Sequence, residues 1–540
     1  MRKLLFFIFA LCISGSLLAG GLVTNTNQSI MFTRLQSRNA STDVDAVYFN
    51  PAGVTKLGTG LHVSLNNQSI FQTKTVTNNY PTLSPNPKEY VGEISAPVYP
   101  GIYLAYNTGK FSFSAGFNPI GGGGGATYDN GLPSFEMPIS EIAPGLSSAG
   151  IPTSQYDADI YFKGSSTFMG YQANLGYKIN EMISVAAGIR IVSAKNTYNG
   201  YIKNIRINPN YPAFGASYTG GMVSAPQFFT DGQTYLNGVS TQLAGTASDL
   251  QPIITGGGGD VPLSSGTAVG MTPTQVATLE ATITALGGDP TDMTIAESQA
   301  FFSGASSTYG YQAGVMGANA AGTQDRYVDV QETGSGYSPI LSVNISPSNK
   351  LNIAAKYEFK TNLNLTTTVY DNKSGGIFVD GEKVVADMPA MLAIGVDYKP
   401  IPKLMLSGSM NYYFDKGVDY DGSDIPPHTP MIDKNFQEYA LGIQYGLTEK
   451  LRISGGWLTT FTGVNDNYQT DLTFDLNTNT FGGGFGYHIN SMIDLNIAGQ
   501  YTFYKDGSKQ YDRNGATVTE TYDKQTWLIG LGLDFHFSAK

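Results

Sequence analysis

The sequence has almost no cysteine and, after its first residues, no long apolar run. Its one cysteine, Cys12, lies in an N-terminal segment typical of a secretory signal, with Arg2 and Lys3, an apolar core, and small residues up to Gly20. We place the signal peptide at residues 1–20. Its removal would leave no thiol, which excludes a disulfide framework, thiolate catalysis and cysteine-ligated metal. No later run of about 18 apolar residues offers a transmembrane helix.

Charged residues are also scarce, at 14% of 540 residues, whereas glycine and tyrosine are abundant, with 65 and 34 copies. Without Arg2 and Lys3 the chain keeps 29 basic residues (31 minus 2) against 42 acidic ones, a net charge of −13. An acidic exported protein is a poor partner for nucleic acid. The composition favours an all-β chain and is compatible with a membrane β-barrel.

A short turn between two alternating strands recurs along the chain. Examples are GYKINEMISVAAGIR (Gly176–Arg190), VNISPSNKLNIAAKY (Val343–Tyr357) and GYHINSMIDLNIAGQ (Gly486–Gln500). Each pattern is typical of a β-hairpin with a tight connection. A water-soluble β-sandwich would show the same period of two, so alternation alone leaves that alternative open.

The connections at the two ends of these hairpins differ in length, as they do in outer-membrane barrels. One set is uniformly short, and the other is long and irregular. The polar faces also carry charges in mid-strand, as a wet lumen allows: Arg190, Lys356, Glu358, Arg452 and Asp494. Six short turns separating seven long-loop hairpins predict fourteen antiparallel strands, an even number that closes without an unpaired edge. The predicted fold class is therefore all-β, a transmembrane barrel over residues 58–537.

Two predicted outer loops are too long to be simple connections. The second, residues 120–158, is unusually apolar, and the third, residues 209–323, has apolar residues at helical spacing after a capping box at Thr272. These side chains either contact a ligand or only cover each other, and the sequence leaves both open. The candidate ligand-binding residues in the two loops are Phe135, Ile139, Ile142, Leu279 and Ile283.

The segment before the first strand, residues 21–57, does not alternate and is rich in Asn, Gln and Ser. It ends in the motif Asn50-Pro51-Ala52-Gly53, where proline removes a backbone donor and restricts the residue before it. A segment too polar for lipid but joined directly to a barrel has a place inside the lumen. We predict that residues 21–57 form a plug and that the motif lets the chain turn from the plug into the wall.

This segment also resembles the N-terminal hatch of the FadL / OmpP1 / TodX family, outer-membrane transporters of long-chain fatty acids and aromatic hydrocarbons. The resemblance rests on NTNQS (residues 25–29), STDVDAVYF (residues 41–49) and the hatch motif Asn50, Pro51, Ala52 and Gly53. It implies a fourteen-stranded barrel, an N-terminal hatch in the lumen, helices in the outer loops and an inward kink in the third strand.

A second similarity lies at FNPIG, residues 117–121, which resembles the Pro-x-Gly at the end of that kinked strand. The candidate lateral-gate residues are Gly116, Asn118, Pro119 and Gly121. Proline cannot donate to the strand ladder and glycine allows unusual dihedral angles, so a gap between neighbouring strands is expected. An ordinary strand end is the alternative.

The chain departs from the family pattern in three ways. It ends in Ser-Ala-Lys after Phe537 rather than on an aromatic residue, and its third loop is enlarged while the fourth, near residues 371–383, is short. No basic residues match those that meet a fatty carboxylate in some members. The identity of the cargo is the property that these differences leave open.

Motifs for catalysis or for a cofactor are weak. The glycine runs at residues 121–125 and 256–259 lack the Lys-Ser/Thr of a phosphate loop. The stretch DYDGSD, residues 419–424, begins like a calcium loop, but Pro430 stands where the bidentate glutamate belongs. We predict no enzyme activity, no cofactor and no metal site. A barrel hydrolase with adjacent Ser and His is an alternative.

The resemblance implies a channel in the outer membrane of a Gram-negative bacterium for passive uptake of hydrophobic small molecules, above all long-chain fatty acids. Cargo would be captured by the long loops, held in a pocket with Leu22 and Val23 as further ligand-binding residues, and released sideways after the hatch moves. Expected partners are this ligand, outer-membrane lipid, lipopolysaccharide and the barrel-assembly machinery; we expect a monomer. An adhesin or receptor that uses residues 209–323 is the alternative.

Overall fold

A computed structural model describes residues 26–371, 378–418 and 429–538. The wall of the molecule is one antiparallel sheet in which the first strand pairs with the last. The register between them is unbroken from the pair Gly60 and Ser538 to the pair Asn78 and Glu520. Because the sheet closes on itself, the seam between first and last strand leaves no unpaired edge there.

The wall strands follow each other around the barrel in chain order, as expected for consecutive hairpins. Their bounds are β1 Gly60–Asn78, β2 Lys88–Asn107, β3 Phe111–Tyr128, β4 Tyr156–Lys178, β5 Ile183–Ile207, β6 Arg326–Ser348, β7 Leu351–Glu358 with Asn364–Asp371, β8 Lys383–Val385 with Met391–Ile401, β9 Leu404–Tyr413, β10 Gln437–Gly446, β11 Leu451–Phe461, β12 Thr478–Asn490, β13 Ile493–Tyr504 with Gly507–Arg513, and β14 Ala516–Ser538.

The described residues form 18 strand segments in this sheet. Three wall strands consist of two segments each, and one two-residue segment, Val223–Ser224, belongs to a loop. The wall therefore has 14 strands, which confirms the number predicted from the hairpin turns. The short turns that joined the predicted hairpins are the connections at one end of the barrel.

The two faces of the wall differ in polarity. In β14 the outward side chains, including Ile529, Leu531 and Phe537, are apolar and exposed, whereas Asp534 is buried on the inner face. The polar residues of β1 that alternate with its apolar ones, such as Asn66, are buried as well. A closed sheet with its apolar side outside and its polar side inside excludes the sandwich alternative and confirms an all-β transmembrane barrel.

The helices lie in the N-terminal segment and in the two long loops. Their bounds are α1 Ile30–Leu35, α2 Ala46–Phe49, α3 Pro133–Ser140, α4 Ile142–Ser148, α5 Ala225–Ile253, α6 Pro273–Ala285 and α7 Ile295–Gly322, with 3₁₀ turns at Pro51–Lys56, Pro212–Phe214, Leu263–Val269 and Asp415–Gly417 and a π turn at Ile254–Gly258. Over the described ranges, no helix combines the length and apolar character needed to cross a membrane.

The described chain divides into two compact units. The barrel unit holds the described residues up to 133, residues 160–201 and those from 327 onward. The loop unit holds residues 134–159 and 202–326. Each unit has its own buried apolar cluster.

The loop unit is built around two long helices, α5 and α7, which pack along each other. The hydroxyls of Ser240 and Ser306 each donate to the other residue's backbone carbonyl over 2.8 Å, so the two helices approach closely. The predicted capping box at Thr272 is present and starts α6. Ile283 is fully buried in the cluster between these helices, and Leu279 packs against that cluster.

Candidate functional site

The N-terminal segment from residue 26 packs against inward-facing side chains of the wall. Helix α1 contacts β10 to β14, and α2 with the 3₁₀ turn that follows contacts β2, β3 and β7. Ser29 starts α1 by accepting a hydrogen bond from the Phe32 amide at 3.0 Å, and its hydroxyl donates to Asp45 at 2.9 Å. One serine thus caps one helix and ties it to the start of the next, which makes the plug compact.

An arginine at the centre of the plug holds two carboxylates. The Arg38 guanidinium donates to both oxygens of Asp45, at 2.9 and 2.7 Å, and to Asp43 at 2.7 Å. Burial would raise the pKa of the Asp43 carboxyl, but the Arg38 charge outweighs burial and holds this pKa well below its ordinary value. Asp43 therefore stays ionised at neutral pH, and the fork of Arg38 fixes the loop between α1 and α2.

The hatch motif locks the plug to the wall. Asn50 is fully buried, and its amide donates to the Ser41 carbonyl at 2.9 Å and to Asn344 of β6 at 2.8 Å. The Ala52 carbonyl accepts a hydrogen bond from Ser184 of β5 at 2.9 Å. Gly53 is required by close approach, since a Cβ there would overlap the Asn50 side chain and the Ser41 carbonyl. The motif thus turns the chain and fastens it at the same point.

Two cations of the wall hold the aromatic ring just before this motif. The Lys356 ammonium lies 4.6 Å and the Arg190 guanidinium carbon 4.8 Å from the centroid of the Tyr48 ring. Lys356 also donates to the Tyr48 carbonyl at 2.8 Å. Glu358 pairs with both cations, each at 2.5 Å. The cluster holds two positive charges and one negative charge. Gln172 of β4 also accepts from Arg190 at 2.6 Å, and the plug adds the Tyr48 ring and carbonyl as further partners.

The third strand leaves the plane of the wall at the predicted gate. Pairing between β2 and β3 runs from Glu93 with Thr127 to Ile94 with Ala126, stops, and resumes only at Ile102 with Phe117. The four residues from 118 to 121 are all buried, unlike the alternating residues before them. Proline at 119 has no amide to donate, and Gly122 and Gly124 adopt positive φ angles of 82° and 80°. The result is an interruption in the backbone ladder between β2 and β3.

The plug touches this interruption directly. The Asn118 amide donates to the Gln28 side chain at 2.7 Å, and both residues are buried. The Tyr103 hydroxyl of β2 donates to the Gln28 carbonyl at 2.8 Å. At Gly116, an added Cβ would lie 3.3 Å from Val47 of the plug. The structure therefore brings together the two groups that sequence predicted separately, the hatch motif's segment and the gate residues.

The predicted ligand-binding residues are distributed differently. Leu22 and Val23 lie outside the described residues. Phe135, Ile139 and Ile142 are buried in α3 and α4, whereas Leu279 and Ile283 belong to the apolar cluster of the loop unit. For Leu279 and Ile283, packing in the loop unit's own cluster is compatible with the alternative that these side chains only cover each other. Ligand contact remains a prediction for all of the candidate residues.

Sequence reasoning missed the contacts that seat the plug. It singled out Arg190, Lys356 and Glu358 as mid-strand charges but assigned no partner to them. The signal that could have found one is an aromatic residue, Tyr48, two positions before Asn50 of the Asn-Pro break, since surplus cations in a lumen need an acceptor. The role of Gln28 had no such signal, because its partner is set by where β3 turns inward.

Comparison with known proteins supports the architecture. No protein-family model matches the chain, and no curated protein sequence matches it. Among solved structures, a FadL homologue from Pseudomonas aeruginosa is similar at 12% identity with a TM-score of 0.55, covering 95% of this chain and 99% of the homologue. The toluene transporter TodX from Pseudomonas putida is similar at 12% identity with a TM-score of 0.51, covering 96% of this chain and 100% of TodX. The chain shares the fold of these proteins, which confirms the resemblance at the level of fold.

The contacts of Lys356 and Arg190 with the Tyr48 ring lead to a first prediction. Replacing Tyr48 with leucine removes the ring that two buried cations contact, so the population of molecules with a displaced plug should rise about tenfold. Phenylalanine keeps the ring and should leave this population unchanged. Ion conductance of the purified protein in planar bilayers reports an open lumen. Equal conductance of the leucine and phenylalanine variants would show that the ring does not hold the plug.

Proposed function

We propose that this chain is an outer-membrane channel for passive uptake of hydrophobic small molecules, with long-chain fatty acids as the expected cargo. The observation that carries the proposal is the contact between the plug and the interrupted wall at Gln28 and Asn118. An interruption in the strand ladder lowers the stability of a barrel, so a purely structural role would explain neither the interruption nor a plug packed against it. A plug that controls a lateral opening accounts for both features.

The proposed path begins outside the barrel. A hydrophobic molecule is captured by apolar residues of the second and third loops and then passes to a pocket capped by the mature N-terminus. Each buried methylene contributes about 0.8 kcal/mol, so an alkyl chain alone can supply micromolar affinity. Transport runs down the concentration gradient of the cargo.

Release follows movement of the plug. The hatch motif at residues 50–53 fastens the plug to β5 and β6, while Gln28 fastens it to β3. A shift of the plug therefore pulls on β3 and on the nearby pair β5 and β6 at once. The cargo leaves between β2 and β3, where no ladder hydrogen bonds have to be broken, and enters the lipid sideways. The fold shared with the toluene transporter TodX supports this class of function.

A second prediction tests the hatch. The double variant Asn50→Ala with Pro51→Ala removes the amide contacts to Ser41 and Asn344 and the turn into the wall, so uptake of labelled oleate should slow severalfold. The matched control is Asn86→Ala with Pro87→Ala, which changes another Asn-Pro pair in the connection between β1 and β2 and should leave uptake unchanged. Wild-type rates in the hatch variant would contradict the mechanism.

A third prediction tests the link between plug and gate. Gln28→Ala and Asn118→Ala remove the same hydrogen bond, so each should slow uptake about threefold, and the double variant should be no slower than the slower single variant. Asn39→Ala is the control, because Asn39 donates to Asn411 of β9 at 2.8 Å on another side of the plug. If the Asn39 variant slows uptake as much, the effect reflects plug stability rather than coupling to the gate.

An adhesin or receptor is the second candidate function, and the compact helical loop unit with its own apolar cluster favours it. Deleting residues 209–323 separates the two functions. A channel whose large loop only assists capture should retain slower uptake of oleate, measured with labelled substrate in whole cells. Loss of binding to a host or partner surface with unchanged uptake would assign the loop unit to recognition.

A further inference from the structure

A groove lies on the outer surface of the wall at the interruption between β2 and β3. Its cavity volume is about 780 Å³, within the range of sites for small molecules. We call it the wall groove and define it by six of its lining residues: Phe71, Glu93, Thr127, Lys163, Tyr501 and Trp527. They come from β1, β2, β3, β4, β13 and β14 and so cross the interruption from one side to the other.

One side of the wall groove is an aromatic shelf. Trp527 of β14 pairs in register with Phe71 of β1 on one side and with Tyr501 of β13 on the other. The Phe71 and Trp527 rings stack with centroids 4.3 Å apart and planes 18° apart. Trp527 is 45% and Tyr501 37% exposed, so both rings face out of the barrel. The shelf therefore offers a continuous apolar surface of three rings on the membrane side of the wall.

The other side of the wall groove is polar. Thr127 of β3 pairs with Lys163 of β4 and with Glu93 of β2, one rung before the ladder between β2 and β3 stops. Asp129 also lines the cavity, so its rim carries two carboxylates against one ammonium group. Ile94 and Gln72 also line the cavity, and Ile94 is buried on the inner side of β2. The wall groove thus reaches from the outer surface to residues of the lumen side.

The wall groove lies at the border of the apolar band. Along the outward face of β14 the side chains are apolar from Phe537 to Trp527 and become polar at Gln525 and Asp523. Along β4 the corresponding change occurs after Met169, before Lys163. A molecule in this groove would meet the lipid chains with one end and the polar border with the other.

Aromatic residues at this level also serve as a girdle in membrane barrels, and this is the alternative explanation. The chain contains two tryptophans, which makes the comparison simple. Trp457 of β11 is the second one, and its indole donates to Asn479 of β12 at 3.0 Å. It follows the outward alternation of β11, and it is not part of the lining of the wall groove. Trp457 is therefore a matched residue with a girdle position but no interruption beside it.

We propose that the wall groove is a binding site for neutral apolar molecules, where cargo rests on the aromatic shelf after passing the interruption and before it enters the lipid. The proposal rests on the proposed lateral release. The shelf replaces the apolar contacts that the cargo loses on leaving the lumen, which lowers the barrier to exit. The acidic excess at the rim disfavours an anion, so a fatty acid would rest here in its protonated, neutral form.

Uptake of radiolabelled naphthalene by whole cells tests this site. Trp527→Leu removes the central ring of the shelf and should slow uptake about fivefold, while Trp457→Leu should match the wild type. Rates are normalised to the amount of folded barrel, measured by its shifted migration in unboiled gels, because either variant could assemble less well. Equal normalised rates for the two variants would overturn the proposal.

A binding measurement gives a result that a girdle role alone would not produce. In proteoliposomes, Trp457→Phe leaves Trp527 as the only indole, and Trp527→Phe leaves Trp457. Bromonaphthalene, a neutral contact quencher, should quench Trp527 in a saturable way and Trp457 only in proportion to its concentration in the lipid. Proportional quenching of both tryptophans would overturn the proposal.

The two measurements separate this inference from the function on which it rests. If the hatch variant slows uptake but Trp527→Leu does not and quenching is not saturable, the channel function stands and the wall groove is not a site. If Trp527 shows saturable quenching but the wild type takes up neither naphthalene nor oleate, the binding site stands and the channel function fails.

Discussion

The structure depends on one constraint, that every backbone donor and acceptor of a wall strand needs a partner because lipid offers none. The closed sheet meets it almost everywhere, and the interruption between β2 and β3 is where it fails. Side chains compensate near it. The Tyr99 hydroxyl donates to the Pro119 carbonyl of β3 at 3.0 Å, and at the bulge between β1 and β2 the Asn67 amide and the Ser69 hydroxyl donate to the Pro97 carbonyl at 3.2 and 2.9 Å. These bonds explain why two polar residues, Asn67 and Ser69, lie on the outward face of β1.

The same constraint shapes the lumen, where charged side chains must find partners away from bulk water. The plug provides many of them. Arg38 is neutralised inside the plug by Asp43 and Asp45, whereas Arg190 and Lys356 belong to the wall and reach the plug through Tyr48. Removing the plug would leave Glu358 and the Gln172 amide oxygen as the wall's own partners for these two cations and would take away the Tyr48 ring and carbonyl. The lost contacts favour the plug in this position and make that position sensitive to changes at single side chains.

Much of the architecture could be predicted because it follows from local patterns. Strands alternate with a period of two and tight turns have their own residues, so the number of wall strands follows from counting turns. The capping box at Thr272 is equally local and marks the start of α6 correctly. Helix α5 was missed because its start at Ala225 has no side-chain cap and its apolar residues are diluted by Gly, Ser and Thr. The interruption was anticipated only as a consequence of Pro119 and the glycines after it.

The sequence by itself determined the alternating wall, the strand number, the polar N-terminal segment and the break at Asn50-Pro51, because each depends on neighbours a few residues apart. Only the tertiary structure decided which distant groups meet. Asn50 bonds to Asn344, and Arg190 pairs with Glu358, across separations of 294 and 168 residues. Periodicity gives the face on which a side chain lies but not the strand opposite it, so the contacts that join the plug, the wall and the interruption between β2 and β3 follow from barrel closure.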